Sequence, residues 1–345
     1  MAFFLALYLF KFLIMFFSLI IPVYNRPEEI EELLQSLLLQ DYKNVFEIVV
    51  VEDGSSLPCK EIVEKYQSIL DISYYFKSNS GPGNSRNYGM VKARGDYFII
   101  FDSDCIIPSN YLSEVEKGLN SEFTDCFGGP DKALDSFSDV QKAINFAMTS
   151  FITTGGIRGG SEKIDKFQPR SFNMGISKKA FEASGGFGKI HPGEDPDLSI
   201  RLWELGFDTK LIPEAFVYHK RRIDWSKFYK QVNKFGKARP ILNHWYPKYA
   251  KITYFFPTVF LMGMVLAILT AFLKSYILVF IFTVYFELLF IIAILQTKSF
   301  KIGILAVFAT FIQFYGYGIG FLKSFILIQI FKKKPEKVFP ELFFK

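Results

Sequence analysis

Four short apolar runs stand out in the first hundred residues, with the sequences SLIIPV, FEIVVV, ISYYF and YFIIF. Apolar runs of this length, bounded by polar residues or glycine, are typical of buried β-strands. Between the first two, PEEIEELLQSLLLQ repeats leucine or isoleucine at three- and four-residue spacing, which predicts an amphipathic helix. Strands that alternate with helices predict an α/β fold with a mainly parallel sheet.

Two aspartates, Asp102 and Asp104, follow the fourth run one residue apart, in YFIIFDSD. In an open α/β sheet, the carboxyl ends of parallel strands form the crevice that binds ligands. Two carboxylates at that edge suit a hard divalent cation, and Mg²⁺ commonly also takes phosphate oxygens of its substrate. A substrate that carries a diphosphate would therefore fit. For Asp-x-Asp alone, a turn capped by the aspartates is the competing interpretation.

Four blocks of the chain, in this order, resemble the successive signature blocks of family-2 glycosyltransferases. They are SLIIPVYNRPEEIEELLQSLLLQDY, IVVVEDGSS, SGPGNSRNYGMVKARGDYFIIFDSD and GEDPDLSIRLWELGF. The resemblance covers residues 17–220 and favours the metal-binding interpretation of the two aspartates. It implies a GT-A fold, a UDP- or GDP-linked nucleotide-diphosphate sugar, a Mg²⁺ or Mn²⁺ ion, and inversion at the anomeric carbon.

The resemblance places four residues at the nucleotide. Pro22 and Tyr24 would line the nucleotide pocket, and Asp53 would accept a hydrogen bond from the base. Arg86, on the helix after the glycine turn, would lie near the nucleotide, where a guanidinium can also contact the diphosphate. A solvent-exposed helix cation is the alternative for Arg86. The turn itself, GPGNSR, half matches a dinucleotide fingerprint but lacks its last glycine, so none is assigned.

By the same resemblance, Asp104 would be the main protein ligand of the metal, and Asp102 would contact the ribose or the metal. The ion would neutralise the leaving diphosphate. His219, in EAFVYHKRR, could complete the metal shell or touch a phosphate, although a lone histidine at a strand end is more often structural.

Glycosyl transfer also needs a general base to take the acceptor's proton, and a carboxylate within hydrogen-bond reach can do this. By resemblance, Asp195 is the base and Glu194 orients it or contacts the acceptor. Without the resemblance, these acids and Asp197 could merely stabilise the amino end of the following helix. SFNMGISKKAF resembles the block before the base, so residues 172–175 are expected near the donor sugar.

The character of the chain changes after residue 222. Residues 223–251 are basic and aromatic, which suits a helix lying on anionic lipid headgroups. Apolar runs of span length follow at 252–273, 276–295 and 302–322. Three crossings would place the basic residues 332–334 opposite the catalytic domain, although positive residues usually stay inside. Either the last segment bends back as an interfacial helix, or the rule is broken here.

Composition agrees with a membrane-bound enzyme, because half of the 345 residues are hydrophobic and 41 are phenylalanine. The net charge of +6 is modest, and the basic residues beside the apolar runs explain it better than nucleic-acid binding would. The three cysteines, odd in number and without metal-ligand spacing, fit a reducing compartment.

The sequence predicts five segments: an apolar leader (1–16), a GT-A catalytic domain (17–222), a basic aromatic interfacial segment (223–251), a transmembrane region of about three helices (252–331) and a basic tail (332–345). The leader is too short for a full span plus a linker and has no small-residue cleavage site, so a secretory signal is not indicated. It either associates with the membrane or precedes a true start at Met15.

We therefore expect a metal-dependent inverting glycosyltransferase, multi-pass in the cell inner membrane, with its catalytic domain facing the cytoplasm. It would act on a lipid-linked or membrane-proximal acceptor in envelope glycan biosynthesis, with membrane lipids and no nucleic acid as partners. Residues 231–235, QVNKF, echo the Gln-x-x-Arg-Trp block of processive polysaccharide synthases, so processive synthesis is the nearest alternative. A noncatalytic nucleotide-sugar-binding membrane component is a further alternative, and the joint presence of the four candidate aspartates argues against it.

Overall fold

The computed structural model describes residues 15–134, 136–154, 166–220 and 224–344, so the predicted leader lies outside it except for residues 15 and 16. Contacts divide the described chain into two compact units. The first contains residues 15–131, 166–187 and 201–217, and the second contains the other described residues. The units interleave along the chain, whereas the sequence predicted consecutive segments; the predicted boundary at residue 222 stays a prediction.

The described strands are β1 (Phe17–Val23), β2 (Phe46–Asp53), β3 (Ile72–Lys77), β4 (Tyr97–Phe101), β5 (Cys105–Ile106), β6 (Cys126–Gly128), β7 (Asp131–Lys132), β8 (Asn173–Ser177), β9 (Thr209–Leu211) and β10 (Val217–His219). The described helices are α1 (Pro27–Leu38), α2 (Lys60–Tyr66), α3 (Pro82–Lys92), α4 (Tyr111–Ser121), α5 (Asp139–Thr149), α6 (Phe151–Thr154), α7 (Lys178–Ser184), α8 (Glu194–Glu204), α9 (Trp225–Trp245), α10 (Phe256–Phe272), α11 (Ile277–Thr297), α12 (Phe300–Phe325) and α13 (Pro335–Val338).

The first unit is built on a seven-stranded sheet in the order β3-β2-β1-β4-β8-β6-β9. The four strands predicted from the apolar runs are β1 to β4, and they pair in parallel. Strand β8 runs antiparallel to both β4 and β6, and β9 is parallel to β6. The expected α/β fold with a mainly parallel sheet is confirmed. The carboxyl ends of β1 to β4 therefore meet at one edge of the sheet.

Both faces of the central strands are covered by helices. The apolar side of α1, with Ile30, Leu33 and Leu37, is buried in the main core on one face. Helix α3 comes very close to β1, because a Cβ on Gly89 would lie 2.6 Å from the Cγ2 atom of Ile20. Glycine is required at this contact. The dinucleotide fingerprint has a glycine where this chain has Arg86. Here Gly89, about one turn later in α3, provides the close contact between helix and strand instead.

In the second unit, α9 packs lengthwise against α12, and α5 packs against both. Small residues allow the close approach: a Cβ on Gly236 would lie 2.1 Å from the carbonyl oxygen of Tyr317, and one on Gly320 would lie 2.3 Å from that of Asn233. The Asn233 side chain also donates to the carbonyl of Gly316 at 3.0 Å. The predicted basic interfacial segment is therefore a helix whose apolar residues pack against protein.

Three helices among the described residues are long and apolar enough to cross a membrane, as the three apolar runs predicted. The first begins with a 3-10 turn (Ile252–Phe255) ahead of α10, and the second is α11. The third comprises α12 and a π-helical turn (Ile326–Ile330). The apolar windows of the first two are only 17% and 11% buried, against 44% for the third. The first two therefore expose far more apolar surface.

The chain turns back after α12. Lys332 adopts a φ of 52°, and residues 335–344, which we call the strap, return to the segment before α8. The last apolar segment continues α12 without a bend, and the two alternatives, an interfacial position or a broken charge rule, both stay predictions. The bend comes at the basic residues themselves, and the strap after it contacts protein.

Candidate functional site

Each of the two aspartates after β4 is held by an arginine from another element of the first unit, one from the loop after β1 and one from helix α3. Arg86 Nη2 donates to Asp102 Oδ1 at 2.7 Å, and Arg26 Nη1 donates to Asp104 Oδ2 at 2.5 Å. The Arg86 side chain is only 3% exposed, and its guanidinium lies 5.2 Å from the centroid of the Phe187 ring. The alternative of a solvent-exposed helix cation at Arg86 is therefore wrong.

Arg26 is a site residue that sequence reasoning missed. Burial disfavours its charged form, but the charge and hydrogen bond of Asp104 outweigh burial and raise the pKa of Arg26. The residue before it, Asn25, has a φ of 53°, and its side-chain oxygen accepts from the backbone N–H groups of Ser56 and Leu57. This fixes the loop after β1 against the loop after β2. The only local signal was the Asn-Arg-Pro sequence at the start of α1.

Asp53, at the end of β2, organises the loop between β3 and α3. Its carboxylate accepts from the backbone N–H groups of Ser80 and Gly81, both at 2.9 Å, and forms an ion pair with Lys77. The side chain is buried. Gly81 has a φ of 90°, a conformation that glycine adopts without strain. Asp53 therefore has a structural role that the sequence did not predict, and its contact with a nucleotide base stays a prediction.

The remaining predicted donor residues lie on β1 and just after it. Pro22 is the sixth residue of β1 and lies opposite Val51 of β2. Tyr24 follows the strand and is exposed, so its ring is available to a ligand. Pro22, Tyr24 and Asp53 thus lie at the carboxyl ends of two neighbouring strands, which meet at one sheet edge.

Asp102 and Asp104 provide a suitable donor set for a divalent metal. Both offer hard carboxylate oxygens, and the Asp102 side chain is one-third exposed. Arg26 and Arg86 each engage one oxygen of the pair, so they offset the negative charge that the two aspartates would otherwise concentrate there. The site therefore fits Mg²⁺ or Mn²⁺ by ligand type.

The candidate base lies in the second unit, where three acids occupy the first turn of α8. Glu194 is buried, with His191 Nδ1 2.7 Å from its Oε1 atom, and Asp197 is buried and accepts from the Tyr246 hydroxyl at 2.7 Å. Asp195 is only partly buried. Two of the three acids are thus buried and bonded inside the unit, whereas Asp195 is less buried as a residue, although its Oδ1 atom is buried.

His219 is the last residue of β10 and also belongs to the second unit. Residues 172–175 lie at the start of β8 in the first unit, where Asn173 is fully buried and bonds to Tyr111 and Ala215. Asn173 is therefore a structural residue, and the roles predicted for His219 and for residues 172–175 near the donor sugar stay predictions.

Two family models match the chain. Residues 18–185 match Glycosyl transferase family 2, and residues 172–316 match Glycosyl transferase family group 2. A stretch of 112 residues is 38% identical to the poly(ribitol-phosphate) beta-N-acetylglucosaminyltransferase TarS of Staphylococcus aureus, covering 32% of this chain and 20% of that protein. The chain therefore spans only about one fifth of the length of TarS in this match.

Two further similarities extend the comparison. A stretch of 150 residues is 32% identical to the GalNAc(5)-diNAcBac-PP-undecaprenol beta-1,3-glucosyltransferase of Campylobacter jejuni, covering 39% of this chain and 48% of that protein. Among solved structures, the mannosyltransferase PcManGT from Pyrobaculum calidifontis, in complex with GDP-Man and Mn²⁺, has a TM-score of 0.56 at 14% identity. That similarity covers 93% of this chain and 88% of PcManGT, and it concerns the fold.

Proposed function

Because the chain belongs to the family-2 glycosyltransferases, we propose that it is an inverting, metal-dependent enzyme. It would move a sugar from a nucleotide diphosphate to a lipid-linked or membrane-proximal acceptor in envelope glycan biosynthesis. The observation that carries the proposal is the pair of aspartates after β4, each paired with an arginine from a different element. Carboxylates for a metal and guanidinium groups for phosphate oxygens are the chemistry that a sugar diphosphate needs.

The donor would bind at the carboxyl ends of β1, β2 and β4. We assign Pro22 and Tyr24 to the nucleotide pocket, Asp53 to the base and Arg86 to the diphosphate. PcManGT, which shares the fold, was solved with GDP-Man and Mn²⁺, a donor and a metal of the proposed classes. UDP- and GDP-linked sugars are therefore the donors to test.

Asp104 and Asp102 would hold the Mg²⁺ or Mn²⁺ ion, with His219 as a further ligand. When bound, such an ion supplies positive charge that stabilises the leaving diphosphate. Arg86 would add a charge-assisted contact to the diphosphate, since guanidinium groups match phosphate oxygens in a planar, bidentate geometry.

Asp195 would take the proton of the acceptor hydroxyl as the acceptor oxygen attacks the anomeric carbon. Its partial exposure supports this assignment, because a base must reach a substrate. Glu194, fixed by His191, would keep the neighbouring Asp195 in place or contact the acceptor.

A membrane-proximal acceptor agrees with the apolar helices α10 to α12, which are long enough to cross a bilayer. The Campylobacter jejuni relative acts, by its name, on an undecaprenol-linked substrate. For the present chain we propose an acceptor of this class, a location in the inner membrane and a catalytic domain that faces the cytoplasm. In the QVNKF segment, Val232 is buried, Phe235 packs against the same apolar cluster, and Asn233 bonds to α12. Three of the five residues thus serve helix packing, and we prefer single transfer over processive synthesis.

The proposal is tested with detergent-purified protein, a panel of UDP- and GDP-sugars and native lipid extract, with Mn²⁺ and with chelator. Transfer should require metal and fall by about 100-fold or more in Asp195→Asn. Asp208→Asn, which changes an exposed aspartate in the turn after α8, is the matched control and should keep wild-type activity. Wild-type transfer by Asp195→Asn would rule out Asp195 as the base. Metal-dependent nucleotide binding without turnover from any donor would favour the noncatalytic alternative.

A further inference from the structure

The segment that leads into α8 is held by the strap at three successive residues. His191 N donates to Leu342 O at 2.7 Å, Phe344 N donates to Lys189 O at 3.1 Å, and Ile190 pairs with Phe343 in an antiparallel bridge. These contacts join positions about 150 residues apart in the sequence and lie wholly within the second unit. The approach to Glu194 and Asp195 therefore takes its conformation from the strap.

The strap is itself anchored to helices of the same unit. Phe339 and Leu342 are fully buried in an apolar cluster with Ile190, Ile241 and Ile328. Glu341 forms an ion pair with Lys237 of α9 at 3.0 Å, and its pKa is lowered because the hydrogen bond and charge of Lys237 outweigh the effect of burial. A segment fixed by apolar burial at two positions and by an ion pair between them can brace the loop that it contacts.

His191 connects the strap to the acids of α8. Its backbone N–H is bonded to the strap, its ring lies 5.8 Å from the Phe344 ring, and its Nδ1 atom lies 2.7 Å from Glu194 Oε1. Gly193, between the histidine and the glutamate, has a φ of 125°, which L side chains rarely adopt. Since this glycine gives the backbone more freedom, the loop needs outside contacts to hold Glu194 in one position.

We propose that the strap and His191 are positioning elements of the transferase: the strap fixes residues 189–191, and His191 fixes the Glu194 carboxylate next to the base Asp195. The catalytic part of this inference rests on the proposed function, whereas the bracing itself rests only on the contacts. Catalytic groups must be held near their productive geometry, and small displacements reduce rate strongly. The strap therefore supports turnover without touching substrate.

The bracing is tested by hydrogen–deuterium exchange on the full chain carrying Leu342→Ala, which removes a fully buried strap side chain. Backbone exchange of residues 189–195 should become faster than in the wild type. Lys337→Ala, which removes an exposed side chain from the same strap, is the matched control and should leave that exchange unchanged. Unchanged exchange at 189–195 in Leu342→Ala, with the protein folded, would overturn the bracing.

The catalytic consequence is tested by kinetics on the same variants. Leu342→Ala should lower kcat by about 10- to 100-fold while the donor KM stays near its wild-type value, because the strap holds the base segment and none of the predicted donor residues. A disulfide between Ile190→Cys and Phe343→Cys should restore kcat in the Leu342→Ala background once oxidised. Bridged residues of antiparallel strands lie within the range that a disulfide can join.

The outcomes separate the two proposals. Faster exchange together with a lower kcat that oxidation restores supports positioning by the strap. Faster exchange with an unchanged kcat overturns the positioning role, as does a lower kcat that the formed disulfide leaves unrestored. If the wild type transfers no sugar from any donor, the proposed function fails, and the exchange comparison still decides whether the strap braces the loop.

Discussion

Two guanidinium groups balance the two carboxylates at the end of β4. Arg26 and Arg86 come from different elements, so the pairs tie the loop after β1 and helix α3 to Asp104 and Asp102. The four side chains are neutral together, and a bound divalent ion would therefore make the site cationic. A cationic site suits a diphosphate, so under the proposed function the arginines would couple binding of the metal to binding of the donor.

Replacing Arg86 by lysine tests this pairing. Lysine keeps the charge but loses both the planar fork that bonds Asp102 and the packing of the guanidinium over Phe187. Arg86→Lys should raise the donor KM by about tenfold, the effect of losing one charge-assisted contact, as measured by steady-state transfer. Arg94→Lys is the matched control: Arg94 bonds Glu47 and Asp71 at the other end of α3, so its loss should leave the donor KM unchanged. Equal donor KM values in both variants would contradict the role of Arg86.

Sequence analysis found both aspartates and Arg86 as site residues, but it missed Arg26 and predicted neither ion pair. Asp102 and Asp104 were recognisable because they end a buried apolar run at the ligand-binding edge of the sheet. Arg26 lies 78 positions from Asp104, and no local pattern links the two residues. Asp53 was found as a site residue, but its bonds to the β3–α3 loop depend on a register that pattern does not contain. Site residues with strong chemistry could be predicted, whereas the contacts between them could not.

At the scale of elements, the contact between α9 and α12 depends on glycine. Gly236 on α9 faces the backbone of α12 at Tyr317, and Gly320 on α12 faces the backbone of α9 at Asn233. The two helices therefore touch backbone to backbone at this crossing, and Asn233 adds a hydrogen bond to Gly316. Such contacts fix the helix that carries the basic surface to one of the apolar helices.

Gly236→Ala should destabilise the protein, although the same change in an open helical position would stabilise it by up to about 1 kcal/mol through helix propensity. The added Cβ would lie 2.1 Å from the Tyr317 carbonyl oxygen, so the helices must separate, at a cost of about 1–3 kcal/mol. Thermal unfolding in detergent should show a lower Tm. Gly263→Ala, whose Cβ would meet only the Phe282 ring at 3.1 Å, should change Tm much less. A Tm at or above wild type in Gly236→Ala would show that the helices do not meet there.

Elements with a regular pattern of apolar residues could be predicted from the sequence, and elements that depend on long-range strand pairing could not. Strands β1 to β4 and helix α1 follow from apolar runs and helical spacing, because each buries a continuous apolar surface. Strand β8, with the sequence NMGIS, has no such pattern. It exists because it pairs with both β4 and β6 and because Asn173 bonds to Tyr111 and Ala215. Tertiary context therefore decided this strand.

At the scale of the whole molecule, the strap constrains how the chain can pass through a membrane. Glu341 contacts Lys237 ahead of α10, and Phe343 contacts Ile190 further upstream. The chain thus returns after α12 to the side that it left before α10. Helix α9 carries four lysines and an arginine and does not qualify as a span. If these helices cross a membrane, the number of crossings between residues 246 and 334 must therefore be even, although three helices are long enough to cross.

Packing distinguishes α12 from the other two apolar helices. Ala309 of α12 packs with Phe228, and Gln329, in the turn that continues α12, donates to the carbonyl of Pro240, so the helix runs beside the basic α9 for much of its length. Because charged residues are costly in hydrocarbon, we expect the basic α9, and with it α12, to lie at the membrane surface. The exposed apolar side chains of α10 and α11 instead suit a hairpin immersed in hydrocarbon, and each helix has about the 20 residues that a span requires.

We therefore expect two crossings, by α10 and α11, with the 274–275 turn on the far side of the membrane. In sealed vesicles of one orientation, single cysteines at Lys248→Cys and Glu336→Cys should react with an impermeant maleimide from the same side, and Lys274→Cys from the opposite side. The native cysteines are all buried, so the background should be low. Glu336→Cys reacting from the side opposite to Lys248→Cys would require an odd number of crossings. In the membrane-bound protein the strap could then not contact Ile190, and the positioning role that we propose for the strap would be wrong.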